Sequence, residues 1–152
     1  MYKYISLNEI VVRNKFFSTL KIPVYVDDEY LETFTGDGLL LSTSTGSTAY
    51  NMAFGGSIIY NTLNTLSITP IAPQNNKAFK TLANSLIIPG DKVITLLPIE
   101  GYNKLYFMVD GVNKCFDNVE RIETRINPKG IKCLHMKDFH FIKVVNDKIL
   151  EK

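Results

Sequence analysis

Residues 36–60 read GDGLLLSTSTGSTAYNMAFGGSIIY, and the change of pattern inside this stretch sets the fold around it. Leu39-Leu-Leu-Ser-Thr43 is an apolar run of strand length. It enters a loop of small hydroxyl residues, and the segment from Thr48 to Phe54 predicts a helix. Thr45 or Ser47 would cap the start of that helix, and Gly55-Gly56 would stop it. A strand, a glycine-permitted turn and a helix start leave free backbone N–H groups at the positive end of a helix dipole. Such a place suits an anionic or nucleotide ligand that comes close to the backbone. On physics alone, an ordinary Ser/Thr-capped helix after a strand explains the same residues with no ligand at all. No Lys follows Gly46, so the loop is not of the Walker A kind.

Outward from this stretch the chain reads as short strands. Tyr4 to Val12 is a strand with a polar interruption at Asn8-Glu9. Val24 to Phe34 is a hairpin whose turn is Asp27-Asp28, residues that tolerate a positive φ. Gly36-Asp37-Gly38 is a second turn. Ser57 to Tyr60 resumes an extended run, and the prolines of Ile68-Thr-Pro-Ile-Ala-Pro73 exclude a helix there. Asn75 to Ala83 forms a short helix or an irregular crossing. Lys92 to Leu97 and Lys104 to Val109 are expected to pair through the Glu100-Gly-Tyr-Asn103 loop. Asp110-Gly111 turns the chain into Val112–Phe116, then come a charged strand from Val119 to Ile126, a turn at Pro128-Lys-Gly130 and a strand from Ile131 to Met136. Close-spaced strands with one or two short helices predict a mainly β fold, a β-sandwich, over residues 1–152.

The chain has 152 residues, enough for one sizeable core. Hydrophobic residues make up 45% and charged residues 21%, a globular balance. The net charge of +2 argues against a dedicated nucleic-acid binder, which needs a clustered basic face. No stretch reaches the length of a membrane span, and the start lacks a signal-peptide pattern, so a cytoplasmic protein is expected. Cys115 and Cys133 have no CxxC spacing, and with His135 and His140 they make no zinc pattern. Two buried or half-buried thiols are the expectation.

The 25 residues from Gly36 to Tyr60 resemble the signature of the NAD kinases, in which a Gly/Ser-Asp-Gly turn leads through a strand into Thr-Gly-Ser-Thr-Ala-Tyr. Further patches follow in that family's order. Asn8-Glu9 resembles its Asn-Glu motif, and Val24-Tyr-Val-Asp27 the hairpin before the signature. Pro70-Ile-Ala-Pro73 resembles the segment after it, Val109-Asp110-Gly111 the late Asp-Gly turn, and Phe139 to Val144 the aromatic tail.

The resemblance implies an enzyme that phosphorylates the adenosine ribose 2′-hydroxyl of NAD to give NADP. The donor would be ATP or polyphosphate, assisted by a divalent metal. It implies an amino-terminal α/β domain joined to a carboxy-terminal β-sandwich, and homo-oligomers (dimers or tetramers) whose subunits share sites. Carried over residue by residue, Asn8 and Glu9 would hold ribose and amide groups. Thr48, Ala49 and Tyr50 would meet the adenosine half, with Tyr50 offering a ring and a hydroxyl. Thr45, Asn51 and Ala53 complete that side. Asp37 would reach NAD bound mainly to a neighbouring subunit, and Ala72 would let a base lie against the backbone.

The family's Gly-Gly-Asp-Gly motif, which carries the catalytic aspartate, is absent, so no catalytic residue and no metal ligand are assigned to this chain. The chain is expected to be a piece of a longer protein or one half of a split one, inactive alone. Ser44 and Ser57 replace common prolines, Ala53 a serine facing the ligand, Thr35 a basic residue and Val112 a polar one. Two other readings are a non-catalytic NAD(P)-binding or assembly module and the carboxy-terminal domain of a lipid kinase of the diacylglycerol or sphingosine type. The intact Thr-Gly-Ser-Thr-Ala-Tyr motif and the lack of a membrane-docking segment favour NAD over lipid.

Overall fold

A computed structural model describes residues 1–77, 80–132, 134 and 139–150. Ten strands follow one another as β1 (Glu9–Asn14), β2 (Leu20–Val26), β3 (Glu29–Gly36), β4 (Gly38–Thr43), β5 (Thr65–Ile71), β6 (Leu86–Pro89), β7 (Ile94–Leu96), β8 (Leu105–Val109), β9 (Val112–Phe116) and β10 (Ile122–Thr124). They form two sheets, β6-β5-β4-β1-β8-β9 and β10-β7-β2-β3. Every pairing is antiparallel. The two sheets face each other across one core. The larger sheet contributes Val12, Leu39, Leu41, Leu66, Ile68 and Leu105, and the smaller contributes Leu20, Ile22, Val24, Phe34, Ile94 and Leu96. Full burial of each such side chain stabilises the fold by about 1.5–3 kcal/mol. The expected β-sandwich is therefore the fold.

The Gly36-Asp37-Gly38 corner carries the chain from the smaller sheet to the larger. Both glycines are needed there for space. A Cβ on Gly36 would lie 2.8 Å from the Ala72 carbonyl oxygen, and one on Gly38 would lie 2.7 Å from that of Val12. The Asp27-Asp28 turn has positive φ at both residues, 49° and 66°, as the hairpin reading requires.

Several expected elements differ. β1 starts at Glu9, so Asn8-Glu9 opens the strand rather than interrupting it. Lys92–Leu97 and Lys104–Val109 do not pair. β7 joins β2 and β10, whereas β8 joins β1 and β9. The Glu100–Asn103 loop, with Gly101 at φ 84°, thus crosses between sheets. Alternating apolar runs around a glycine loop suit a hairpin and a sheet-to-sheet crossing equally well, which is why local sequence misreads them. Ser57–Tyr60 joins no sheet, and the charged strand shortens to Ile122–Thr124. The described residues between 75 and 83 form the irregular crossing. Ile131, Lys132 and Leu134 join no strand, while the rest of the Ile131–Met136 segment, including Cys133 and His135, lies outside the described residues. Cys115 is an exposed free thiol rather than a buried or half-buried one, because it stands on β9, the solvent-exposed edge strand of the larger sheet. The aromatic tail is helical, as α2 (Phe141–Val145) running on into a π-helical turn, Asn146–Leu150. No helix among the described residues is long and apolar enough to cross a membrane.

Candidate functional site

The hydroxyl loop after β4 forms a single 3₁₀ turn, Thr45–Thr48, followed by a four-residue helix α1 (Tyr50–Ala53). Ala49, with φ −98° and ψ −134°, breaks the two apart. Neither Thr45 nor Ser47 caps a helix. The Gly46 N–H is instead received by the Thr43 hydroxyl at 3.1 Å. Ser47 is fully buried, and its hydroxyl ties the turn to the segment beyond α1. It donates toward the Ser44 carbonyl at 2.7 Å, and it accepts the Ile59 N–H at 3.0 Å. Gly55, at φ 72°, ends α1 as expected.

This local geometry removes the expected row of free N–H groups. Gly46, Ser47 and Ala49 donate to Thr43, Ser44 and Gly46 respectively. The Tyr50 N–H faces the Glu9 carboxylate. A helix of four residues also has almost no macrodipole. The site therefore offers side chains and backbone shape rather than a helix-end anion hole.

Around α1 the structure gathers most of the expected residues. Glu9 lies on the outer face of β1, the face turned away from the sandwich core, together with Val11 and Arg13. It is 6% exposed, and its Oε2 accepts no hydrogen bond from the described residues. Burial pushes the Glu9 carboxyl above its ordinary value, and the nearby Asp110 charge adds to the rise; the Tyr50 N–H pulls it down. Asn8 precedes it and is half-buried. A Cβ on Gly46 would sit only 2.1 Å from the Asn8 carbonyl oxygen, so the loop and the Asn8-Glu9 segment lie backbone on backbone.

Tyr50, Thr45 and Ala53 are exposed, while Thr48 and Ala49 are half-buried. The Tyr50 ring packs edge-on against Phe54, with centroids 4.8 Å apart. Asn51 is fully buried and acts inward. Its Oδ1 receives the Thr69 hydroxyl at 2.6 Å, and its amide nitrogen donates toward the Ser47 and Ser57 carbonyls, each at 3.4 Å.

Asp37 and Ala72 form a second group at the other end of β4. Gly38 pairs with Ile71 there, whereas Thr43 pairs with Leu66 at the loop end. Six strand residues put roughly 17 Å between the two ends. Asp37 is exposed and donates its N–H to the Ile71 carbonyl at 2.9 Å; Ala72 is exposed with φ 44°. Phe54 packs on Val11, Leu40 and Ile71, so α1 runs back over the sheet between the two groups. Thr35 is buried with an unpartnered hydroxyl, and Val112 is exposed at the start of β9.

Two features go beyond a motif reading. Beside Tyr50 the outer face holds a cleft of about 160 Å³ lined by Val11, Arg13, Phe17, Tyr50, Tyr106 and Met108. The alternation of Glu9, Val11 and Arg13 along β1 was the available signal for it. The second is Asp110. Its Oδ1 accepts from Ser6 Oγ, Asn8 N and Glu9 N at 2.7, 2.9 and 3.1 Å, and its Oδ2 accepts from Leu7 N at 2.6 Å. Burial would raise its carboxyl, but the bonds from Leu7, Ser6, Asn8 and Glu9 outweigh burial and hold it below its ordinary value. The Asp-Gly turn is visible in sequence, whereas its target about a hundred residues away is not.

Among the described residues no group of three His, Cys, Asp or Glu side chains comes together to hold a metal ion. Glu9 and Asp110 are two acids, and Asp110 is already saturated by donors. These residues do not fit a metal centre of their own.

The family described as the ATP-NAD kinase C-terminal domain matches residues 7–126. An NAD kinase of Finegoldia magna is 38% identical over 154 residues, covering 98% of this chain and 56% of that protein. One from Lactobacillus johnsonii is 37% identical, covering 97% and 55%. The chain thus spans about half the length of the curated relatives it matches. The crystal structure of a yeast NADH kinase complexed with NADH superposes with a TM-score of 0.64 at 27% identity, covering 78% of this chain and 34% of that one. An Archaeoglobus fulgidus NAD kinase in complex with ATP superposes at 0.64 and 24% identity, covering 78% and 44%, a likeness of fold.

Proposed function

From a chain that belongs to the ATP-NAD kinase C-terminal domain family, we propose a dinucleotide-holding domain of an NAD kinase, which phosphorylates the adenosine ribose 2′-hydroxyl of NAD to give NADP. The observation that carries this reading is the meeting of Asn8-Glu9 with the loop that runs from Gly46 to Tyr50. A buried carboxylate with an unpartnered oxygen faces the backbone N–H of Tyr50, whose side chain is exposed. A ribose hydroxyl is the donor that Glu9 Oε2 lacks, and the Tyr50 ring suits a base. Glu9 is sealed in the ligand-free chain, so binding has to shift a neighbouring side chain.

In this reading Thr45 and Ala53 flank the adenosine half, and Asn51 holds α1 in place from below. The exposure of Asp37 and Ala72, away from the main group, supports a role at a site shared between subunits of a dimer or tetramer. ATP or polyphosphate, a divalent metal and the catalytic base belong to the whole enzyme, which we place in the cytoplasm.

Titration of the chain with NAD and NADP by calorimetry tests the proposal. Saturable binding that Tyr50→Ala abolishes is the expected result. Loss in Asp37→Asn as well supports the shared site. Binding of equal strength in the wild-type chain and in Tyr50→Ala refutes the assignment.

A further inference from the structure

We propose that Asp110 is a positioning residue: the Asp-Gly turn between β8 and β9 fixes the pose of Asn8 and Glu9 by gathering the backbone that leads into β1. The inference rests on the nucleotide reading for its functional consequence and on geometry for its substance.

Three successive backbone N–H groups, those of Leu7, Asn8 and Glu9, converge on one carboxylate together with the Ser6 hydroxyl. Consecutive amides arranged this way form a nest of the kind that binds anions, and here the chain supplies the anion itself. The grip is reciprocal, because the Asp110 N–H donates to the Glu9 carbonyl at 3.2 Å. The turn is shaped for it. Asp110 and Gly111 have φ values of 44° and 82°, a pair that aspartate followed by glycine accepts and branched residues resist.

On the opposite side the same segment is held by Thr43. Its N–H donates to the Asn8 carbonyl at 3.0 Å, and its hydroxyl donates to the Leu7 carbonyl at 2.8 Å. Ser6 to Glu9 is therefore clamped between two hydrogen-bonding residues from different parts of the chain. Asn8 and Glu9 project from the clamp, and neither has conformational freedom in its backbone while both grips hold.

Asp110 also sets the electrostatics of Glu9. Of the elements packed around Glu9, β4, β8 and the Thr45–Ala53 segment carry no charged side chain, and Arg13 lies two strand pairs along the same face. Asp110 is the charged group that acts on Glu9, and it acts to keep the proton on. Removing that charge lowers the pH at which Glu9 becomes an acceptor for a ligand hydroxyl.

The test uses the full chain with Asp110→Asn, which keeps the side-chain size and one acceptor but removes the charge. Amide exchange at Leu7, Asn8 and Glu9 is expected to speed by tenfold or more, with Leu39 to Leu41 unchanged. The Glu9 carboxyl, followed by NMR without ligand, is expected to titrate at lower pH. NAD is expected to bind roughly tenfold more weakly, with its pH profile moved the same way. Ser6→Ala, a milder change that leaves the turn intact, is expected to speed exchange at the same amides to a smaller degree. A uniform loss of protection with the Glu9 titration unmoved would overturn the inference and leave Asp110 an ordinary structural residue. Loosened amides with unchanged NAD affinity would overturn it too. Failure of the wild-type chain to bind NAD strikes the nucleotide reading instead, and the two ligand-free measurements still decide the role of Asp110.

Discussion

Replacing Gly46 by alanine adds one methyl group where the loop after β4 lies on the Asn8 backbone. A Cβ there would stand 2.1 Å from the Asn8 carbonyl oxygen, 2.5 Å from its carbon and 2.7 Å from its Cα. A carbon and a carbonyl oxygen come to rest at about 3.3 Å or more. The two backbones must then part by roughly 1 Å. Side chains cannot absorb that displacement, because the obstructing atoms are main chain. Two hydrogen bonds span the gap: Thr43 N to Asn8 O at 3.0 Å and Thr43 Oγ1 to Leu7 O at 2.8 Å. At about 1 kcal/mol each, their loss costs about 2 kcal/mol, within the usual range for overpacking. The control is Gly55→Ala. Gly55 has open space around its missing Cβ but a φ of 72°, so alanine there suffers only backbone strain of about 1 kcal/mol after the entropy gain. Urea unfolding of both variants by circular dichroism gives the two values. A Gly46→Ala variant no less stable than Gly55→Ala would refute the backbone-on-backbone contact and, with it, the geometry that brings Tyr50 to Glu9.

Ser47→Ala leaves the buried Ile59 N–H without an acceptor, and a loss of about 1–3 kcal/mol in urea unfolding is expected; a change under about 0.5 kcal/mol would mean that the hydroxyl is not the tie described. Ser44 has φ −57°, within the range that a proline ring imposes, and Thr43 before it is extended. Ser44→Pro is therefore expected to raise stability by about 0.4–1 kcal/mol, measured by the same unfolding, and a loss would show that the Ser44 N–H or side chain matters. The Glu9 carboxyl is raised above 4.5, so its protonated form is favoured in the folded chain and its ionised form is a cost at neutral pH. Glu9→Gln should stabilise the ligand-free chain near pH 7, with the gain vanishing as the pH falls below 4.5, while NAD binding weakens. Asp110 is shifted the other way, so its contribution is present above 3.8 and is lost as the pH falls through its lowered value. A thermal melt series from pH 7 to pH 2 should show Asp110→Asn losing less than the wild type on the acid side.

The parts of this molecule that sequence discloses are those whose cause is local. The Asp27-Asp28 hairpin is one, since turn chemistry and alternation sit in eleven consecutive residues from Val24 to Phe34. The end of α1 at Gly55 is another. The pairing of Lys92–Leu97 with Lys104–Val109 failed because pairing is a property of the whole sandwich. The core draws Ile94 and Leu96 into one sheet and Leu105 into the other, and nothing inside the intervening loop distinguishes that outcome from a hairpin. Thr45 and Ser47 fail as caps for a similar reason, and the Gly46 N–H goes to Thr43 instead. Thr43 serves the turn because its hydroxyl is fixed by the Leu7 and Asn8 carbonyls, partners that lie 36 and 35 residues away.

The same distinction separates the residues that would touch a ligand from those that hold them. Asn8, Glu9, Thr48, Ala49 and Tyr50 stand in short motifs because a ligand reads side chains at fixed spacing along a strand or a turn. The restraints on them cross the fold: Asp110 reaches back to Leu7, Asn51 reaches Thr69, and Gly46 leaves room for Asn8. Sequence places each of these in or beside a motif but does not show the distant partner it restrains. Their substitution should nonetheless disturb the site as much as loss of a contact residue, because a carboxylate misplaced by 1 Å no longer reaches its hydroxyl. On the proposed reading, the side chains at the ligand would set what is recognised, and the residues that restrain them across the fold would set how tightly.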